Sequence, residues 1–134
     1  KEINIFEDGE ESRDFVYIDD IVEATFLAAT DPRAAGETFN VGSGVATTVN
    51  EVVSALFTAF GKEVPTRVSG NYRLGDIRHN VADTSHLAET LGFTPRVSFQ
   101  EGVTAFVEWV LSEPVEEDGY QRSLDEMSKR NLLK

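Results

Sequence analysis

Apolar residues recur along this chain in short runs broken by glycine, proline and acidic turns. Ile3-Asn4-Ile5-Phe6 is a brief apolar stretch that meets a turn at Glu7-Asp8-Gly9-Glu10. Phe15-Val16-Tyr17-Ile18 is β-prone, and Asp19-Asp20 supplies a side-chain acceptor to start a helix over 20–30. That helix is apolar almost all the way round, a pattern that demands burial on more than one side. Asp31-Pro32 stops it, and after Gly36 the run Thr38-Phe39-Asn40-Val41 predicts a strand closing on the turn Gly42-Ser43-Gly44.

Two capping boxes organise the remainder. In Thr48-Val49-Asn50-Glu51 the threonine accepts from a backbone N–H while the glutamate reaches back to the cap residue. The helix it opens carries Val49, Val52, Val53, Leu56, Phe57 and Phe60 on one face and ends at Gly61. A strand over 64–68 follows, then a polar stretch from Gly70 through Gly75 and a short strand near Asn80-Val81. Asp83 caps a helix over 84–91 that Gly92 terminates. Ser98-Phe99-Gln100-Glu101 is the second box, and its helix stacks Phe99, Val103, Phe106, Val107, Val110 and Leu111 into a stripe. Beyond Pro114, Glu116-Glu117-Asp118 reads as a solvated linker and Ser123-Leu124-Asp125-Glu126 as the cap of a last short helix. The class is α/β: one small domain over 1–114, then an acidic linker and short helix over 115–134.

Charge narrows the partners. With 24 acidic and 12 basic side chains the formal net charge is −12, which disfavours nucleic acid and anionic lipid. Only Lys1, Lys62, Lys129 and Lys134 are lysines. Such a surface suits either a protein adapted to high salt or an ordinary acidic cytoplasmic one. The absence of cysteine excludes disulfides, thiol nucleophiles and cysteine-based zinc sites, and His79 and His86 do not make a metal cluster. No apolar run approaches the roughly 20 residues of a membrane span, and the first residues do not resemble a signal peptide. The expected setting is the cytoplasm.

Candidate chemistry lies with arginine. Gly42-Ser43-Gly44 lacks the third glycine of a dinucleotide fingerprint and reads as a turn. His79 reads as structural and His86 as exposed. Arg13 follows a glycine turn and Arg73 lies in a polar loop with Asp76 three residues on. Guanidinium groups at loop–strand junctions of an acidic protein suit an anionic ligand such as a phosphate, and Asp76 could accept from sugar hydroxyls. The competing reading pairs Arg13 with Asp14 or Asp19, and Arg73 with Asp76, as surface bridges. Residue chemistry leaves the two level.

The run Asp8-Gly9-Glu10-Glu11-Ser12-Arg13-Asp14-Phe15-Val16-Tyr17-Ile18-Asp19-Asp20 resembles a characteristic segment of NAD-dependent sugar-nucleotide epimerases and dehydratases, the extended short-chain dehydrogenase/reductase family. Three further blocks follow in the family's order: Phe39-Asn40-Val41-Gly42-Ser43-Gly44, Arg73-Leu74-Gly75-Asp76-Ile77-Arg78-His79, and Ala82-Asp83 with Leu91-Gly92-Phe93-Thr94-Pro95. The third block is most similar to UDP-sugar 4-epimerases. The resemblance covers about Ile3 to Val110 and implies the C-terminal part of such an enzyme. Glu7 stands where the family pattern has glycine.

The resemblance implies that Arg13 and Arg73 grip the pyrophosphate of a UDP-sugar and Asp76 binds its ribose hydroxyls. It implies that Asn4, Ile5, Phe6 and Val49 line the uracil pocket. NAD would serve the intact enzyme, held by a dinucleotide-binding half whose glycine fingerprint is not in this chain. The catalytic Tyr-x-x-x-Lys pair is also lacking: Tyr17, Tyr72 and Tyr120 are followed four residues on by Ile21, Asp76 and Leu124. The chain alone is therefore expected to bind no cofactor and to be catalytically silent. The strand–helix–strand near 15–41 would complete a Rossmann-type sheet, and without its cover the chain would self-associate. A 4,6-dehydratase, a decarboxylase and a non-catalytic nucleotide-sugar-binding module are the alternatives.

Overall fold

The computed structural model describes residues 2–114 and 119–134, so Glu116-Glu117-Asp118 lies outside the described residues. Among the described residues, five α-helices and one short 3-10 helix accompany two small sheets. Strand β1 (Ile3–Ile5) pairs in parallel with β4 (Thr66–Val68). Strand β2 (Ser12–Asp14) is central in the other sheet, antiparallel to β3 (Ala46–Thr48) and parallel to β5 (His79–Asn80). The helices are α1 (Ile18–Thr30), α2 (Val49–Phe60), α3 (Ser85–Leu91), α4 (Phe99–Ser112) and α5 (Tyr120–Lys129).

Both capping boxes form as the sequence requires. Thr48 Oγ1 accepts from Glu51 N while the Glu51 carboxylate accepts from Thr48 N, and Ser98 with Glu101 repeats the arrangement. Gly61 and Gly92 end α2 and α3 in the left-handed conformation. Helix α2 lies against α4. A core of Ala24, Leu87, Leu91 and Phe93 joins α1 to α3, with Leu27, Ala28, Ala34, Phe39 and Val41 packed around it.

Three sequence expectations are corrected. Residues 15–17 form no strand; the β2 ladder stops at Asp14 and α1 begins at Ile18. Asp20 does not cap that helix. It is buried inside the first turn, where its carboxylate accepts from the backbone N–H groups of Arg96 and Val97 and so anchors α1 to the approach to α4. Residues 38–41 form no strand either, since none of the described strands runs beside them to complete the backbone hydrogen bonds.

Helix α1 has two faces. Ala24, Leu27 and Ala28 turn into the core. Ile18, Val22 and Phe26, spaced four apart, stand 62%, 59% and 67% exposed. The all-round apolar pattern is thus half satisfied, and an apolar stripe remains on the surface. Among the described residues no helix is long and apolar enough to cross a membrane.

Candidate functional site

Arg13 is held from both sides. It sits mid-strand on β2, opposite Thr47 on one neighbour and Asn80 on the other. One arm of its guanidinium, Nη1, donates to the carbonyls of Ser12 and Arg78 at 2.8 and 3.2 Å. The other, Nη2, donates to Asp76 Oδ1 at 2.6 Å. Asp76 Oδ1 also accepts from Ile77 N at 2.9 Å, which fixes the carboxylate on its loop. Arg13 therefore pairs with neither Asp14 nor Asp19 but with Asp76, the residue the competing reading gave to Arg73. Arg73 stands instead with its Cζ 6.0 Å from the centre of the Phe6 ring, at the outer range of a cation–π contact.

These residues share one cavity of about 320 Å³. Arg13, Arg73, Asp76, Asn4, Ile5, Phe6 and Val49 all line it, and so do Glu11, Tyr72, Ile77 and Tyr120. The last four were not legible as site residues. Glu11 Oε2 is screened from solvent with no hydrogen-bond partner. An unpaired carboxylate oxygen at a cavity wall is costly and suits a donor brought by a ligand.

The turn beside the cavity explains the departure at position 7. Glu7 adopts φ 48°, the left-handed region that glycine occupies without strain. Its carboxylate accepts from Arg78 Nη1 at 2.5 Å, and Arg78 Nη2 donates to both oxygens of Asp8 at 2.9 and 2.7 Å. The Arg78 guanidinium lies beside Asp8 and holds its carboxyl below the usual range. Glu7, Asp8 and Glu11 cluster closely enough to suggest a cation, but Arg78 already neutralises two of the three.

Gly42-Ser43-Gly44 is wrapped around an internal anion. Asp14 accepts from Ser43 N at 2.6 Å, Ser43 Oγ at 2.5 Å, Gly44 N at 2.9 Å and Ala82 N at 3.2 Å. Burial pushes the Asp14 carboxyl up, and the hydrogen bonds from Ser43, Gly44 and Ala82 outweigh it and leave the group below its ordinary value. A Cβ on Gly42 would sit 2.5 Å from Asp14 Oδ2 and 2.6 Å from Ala82 Cβ. The Ser43 and Gly44 amides of this turn are thus taken by the chain's own carboxylate. His79 Nδ1 meets the buried Ser12 hydroxyl at 2.9 Å, a structural contact, and exposed His86 stacks on Phe39.

A family profile described as GDP-mannose 4,6 dehydratase matches residues 1–106. The chain belongs to that family. Its relatives include the UDP-glucose 4-epimerase of Mycolicibacterium smegmatis, 39% identical over 105 residues that make up 78% of this chain and 33% of that protein. Among solved structures it resembles UDP-glucose 4-epimerase from Thermotoga maritima with UDP-glucose, at TM-score 0.70, 39% identity, and coverage of 83% of this chain and 35% of that one. It also resembles a UDP-glucuronic acid 4-epimerase variant from Bacillus cereus bound to a fluorinated UDP-glucuronic acid and NAD, at TM-score 0.74, 29% identity, and coverage of 83% and 35%. The GDP-mannose 4,6-dehydratase family thus includes epimerases and dehydratases, and this chain spans about a third of their length, the extent expected of the C-terminal portion.

Proposed function

We propose that this chain is the nucleotide-sugar-binding part of an NAD-dependent UDP-sugar 4-epimerase. The observation that carries the reading is the convergence of Arg13, Arg73 and Asp76 with Asn4, Ile5, Phe6 and Val49 on one cavity. Two guanidinium groups offer planar pairs of donors to a diphosphate, a carboxylate can accept from ribose hydroxyls, and an apolar floor with a flat ring suits a pyrimidine. The preformed Arg13–Asp76 bond places cation and carboxylate together before any ligand arrives, which reduces the ordering cost of binding.

NAD would be held by the rest of the enzyme, because the glycine turn here is closed on Asp14. This chain contributes binding and orientation of the sugar nucleotide. The apolar stripe Ile18-Val22-Phe26 is then the face that packs against the dinucleotide-binding part, or against another copy when that part is lacking. A cytoplasmic setting follows from a nucleotide-sugar substrate.

The test is UDP-sugar binding and turnover by the intact protein. Arg13→Ala and Arg73→Ala each weaken UDP binding at least about tenfold, the scale of a charged hydrogen bond. Unchanged affinity in both variants overturns the assignment. The family description favours a 4,6-dehydratase as the second reading. Product analysis separates the two, since an epimerase returns the 4-epimer and a dehydratase releases a 4-keto-6-deoxy sugar.

A further inference from the structure

The matched family region stops at residue 106, and the chain beyond it returns to the arginine loop. Helix α5 ends in a reversal. Asn131 takes φ 56°, Asn131 N donates to Ser128 O at 3.0 Å and Leu132 N donates to Met127 O at 2.9 Å. Such a pair of bonds around a left-handed residue is a Schellman stop, and asparagine is one of the few residues besides glycine that enters that conformation readily. The reversal sends residues 132–134 back antiparallel to the loop. Leu74 N donates to Leu132 O at 2.9 Å, Lys134 N to Tyr72 O at 3.0 Å and Tyr72 N to Lys134 O at 2.8 Å. Between these bonds Arg73 and Leu133 form a bridge. They are a non-hydrogen-bonded pair, the arrangement in which facing residues come closest and their side chains share one side of the ladder. The start of α5 is fastened as well, its Tyr120 hydroxyl accepting from Asn4 Nδ2 at 3.1 Å.

The two cavity arginines are held in different ways. The Arg13 guanidinium is fixed by its own hydrogen bonds to Ser12, Arg78 and Asp76. Arg73 is exposed, and among the described residues its guanidinium makes no hydrogen bond or ion pair; its Cζ lies 6.0 Å from the centre of the Phe6 ring. What the fold secures is its backbone, because the N–H groups of Tyr72 and Leu74 and the carbonyl of Tyr72 are all taken by the returning tail. We infer that residues 132–134, turned back by Asn131, are a positioning element for Arg73, a role that rests on the UDP-sugar reading of the cavity. The ladder fixes the point from which the Arg73 side chain springs, and Leu133 stands opposite it. A long side chain with no polar partner of its own is thereby restricted before a diphosphate arrives, which lowers the ordering cost of binding.

The experiment measures UDP affinity by calorimetry on the intact protein. Asn131→Val makes the left-handed turn costly for a β-branched side chain and frees the tail. Lys134→Pro deletes the N–H that reaches Tyr72 O and leaves the end of α5 unaltered. Each is expected to weaken UDP binding about three- to tenfold, the ordering cost of one long side chain. Asn131→Gly keeps the turn and is expected to bind as wild type. Double variants decide whether the tail acts through Arg73. Added to Arg73→Ala, Asn131→Val should lose nothing more, whereas added to Arg13→Ala it should repeat its full loss. Equal losses on both backgrounds overturn the positioning role and leave the nucleotide site standing. So does wild-type affinity in both Asn131→Val and Lys134→Pro while Arg73→Ala is impaired. Failure of the wild type to bind UDP removes the site and the role together. A thermal midpoint for Lys134→Pro matching wild type places its loss in binding rather than folding.

Discussion

Arg13 and Asp76 lie 63 positions apart in sequence and meet at 2.6 Å, joining the central strand of one sheet to the loop that carries Arg73. Their side chains are 34% and 46% exposed, so the pair contributes at most about 1 kcal/mol to folding. Stability and binding should consequently separate. Denaturant unfolding of Arg13→Ala, Asp76→Ala and the double variant should give a coupling below about 1 kcal/mol. UDP affinity should fall in both single variants. A coupling several times larger would mean the pair is structural and not held ready for a ligand.

At Glu7 the backbone strain and the side-chain contact can be pulled apart. Glu7→Gly removes the strain at φ 48° and the bond to Arg78 together, and should leave stability within about 0.5 kcal/mol of wild type. Glu7→Val cannot take the left-handed conformation cheaply and should cost about 1–3 kcal/mol. Urea midpoints for the two variants make the comparison; equal losses would show that the side-chain contact is what matters.

Gly42→Ala forces a methyl against Asp14 Oδ2 and Ala82 Cβ. The four hydrogen bonds to Asp14 cannot all survive the shift, and the loss should be about 1–3 kcal/mol. Gly36→Ala is a useful contrast. Nothing lies within 4 Å of its added carbon, so its cost comes from φ 82° alone. The Gly42 variant should also disturb the amide resonances of Ser43 and Gly44, which the Gly36 variant leaves in place.

Acid should weaken the helix starts in a definite window. Glu51 is held below its ordinary 4.5 by the Thr48 backbone N–H and hydroxyl. Glu101 is lowered by the Ser98 hydroxyl and N–H, and Asp14 lies below 3.8. A carboxyl depressed in the folded state binds fewer protons there than in the unfolded chain. Its contribution is complete above the unfolded value and is lost as pH falls through the folded one. Thermal midpoints should therefore be level down to about pH 4.5 and decline below it. Glu51→Gln should shallow that decline.

The stripe on α1 should govern association. Sedimentation of the 134-residue chain is expected to show self-association. Val22→Gln with Phe26→Gln, both outside the core, should return it to monomer without loss of helix content. An unaltered sedimentation profile would place the contact on another face.

Local rules settled much of this protein. The two capping boxes, the glycine stops at Gly61 and Gly92 and the apolar stripes of α2 and α4 depend on groups within a few residues of one another, so the order of residues was sufficient to place them. The family resemblance likewise pointed to Arg13, Arg73, Asp76, Asn4, Ile5, Phe6 and Val49, which are among the residues that line the cavity. What spacing could not determine was pairing across distance. The strand expected over 38–41 lacks a neighbour among the described residues, and a strand exists only where another supplies its hydrogen bonds. Asp20 looked like a cap and became a buried anchor once Arg96 and Val97 were folded beside it. Tyr120, Glu11 and the Arg13–Asp76 bond belong to the same class: each draws its meaning from a partner or wall that chain folding brings within a few ångströms, and nothing local encodes that proximity.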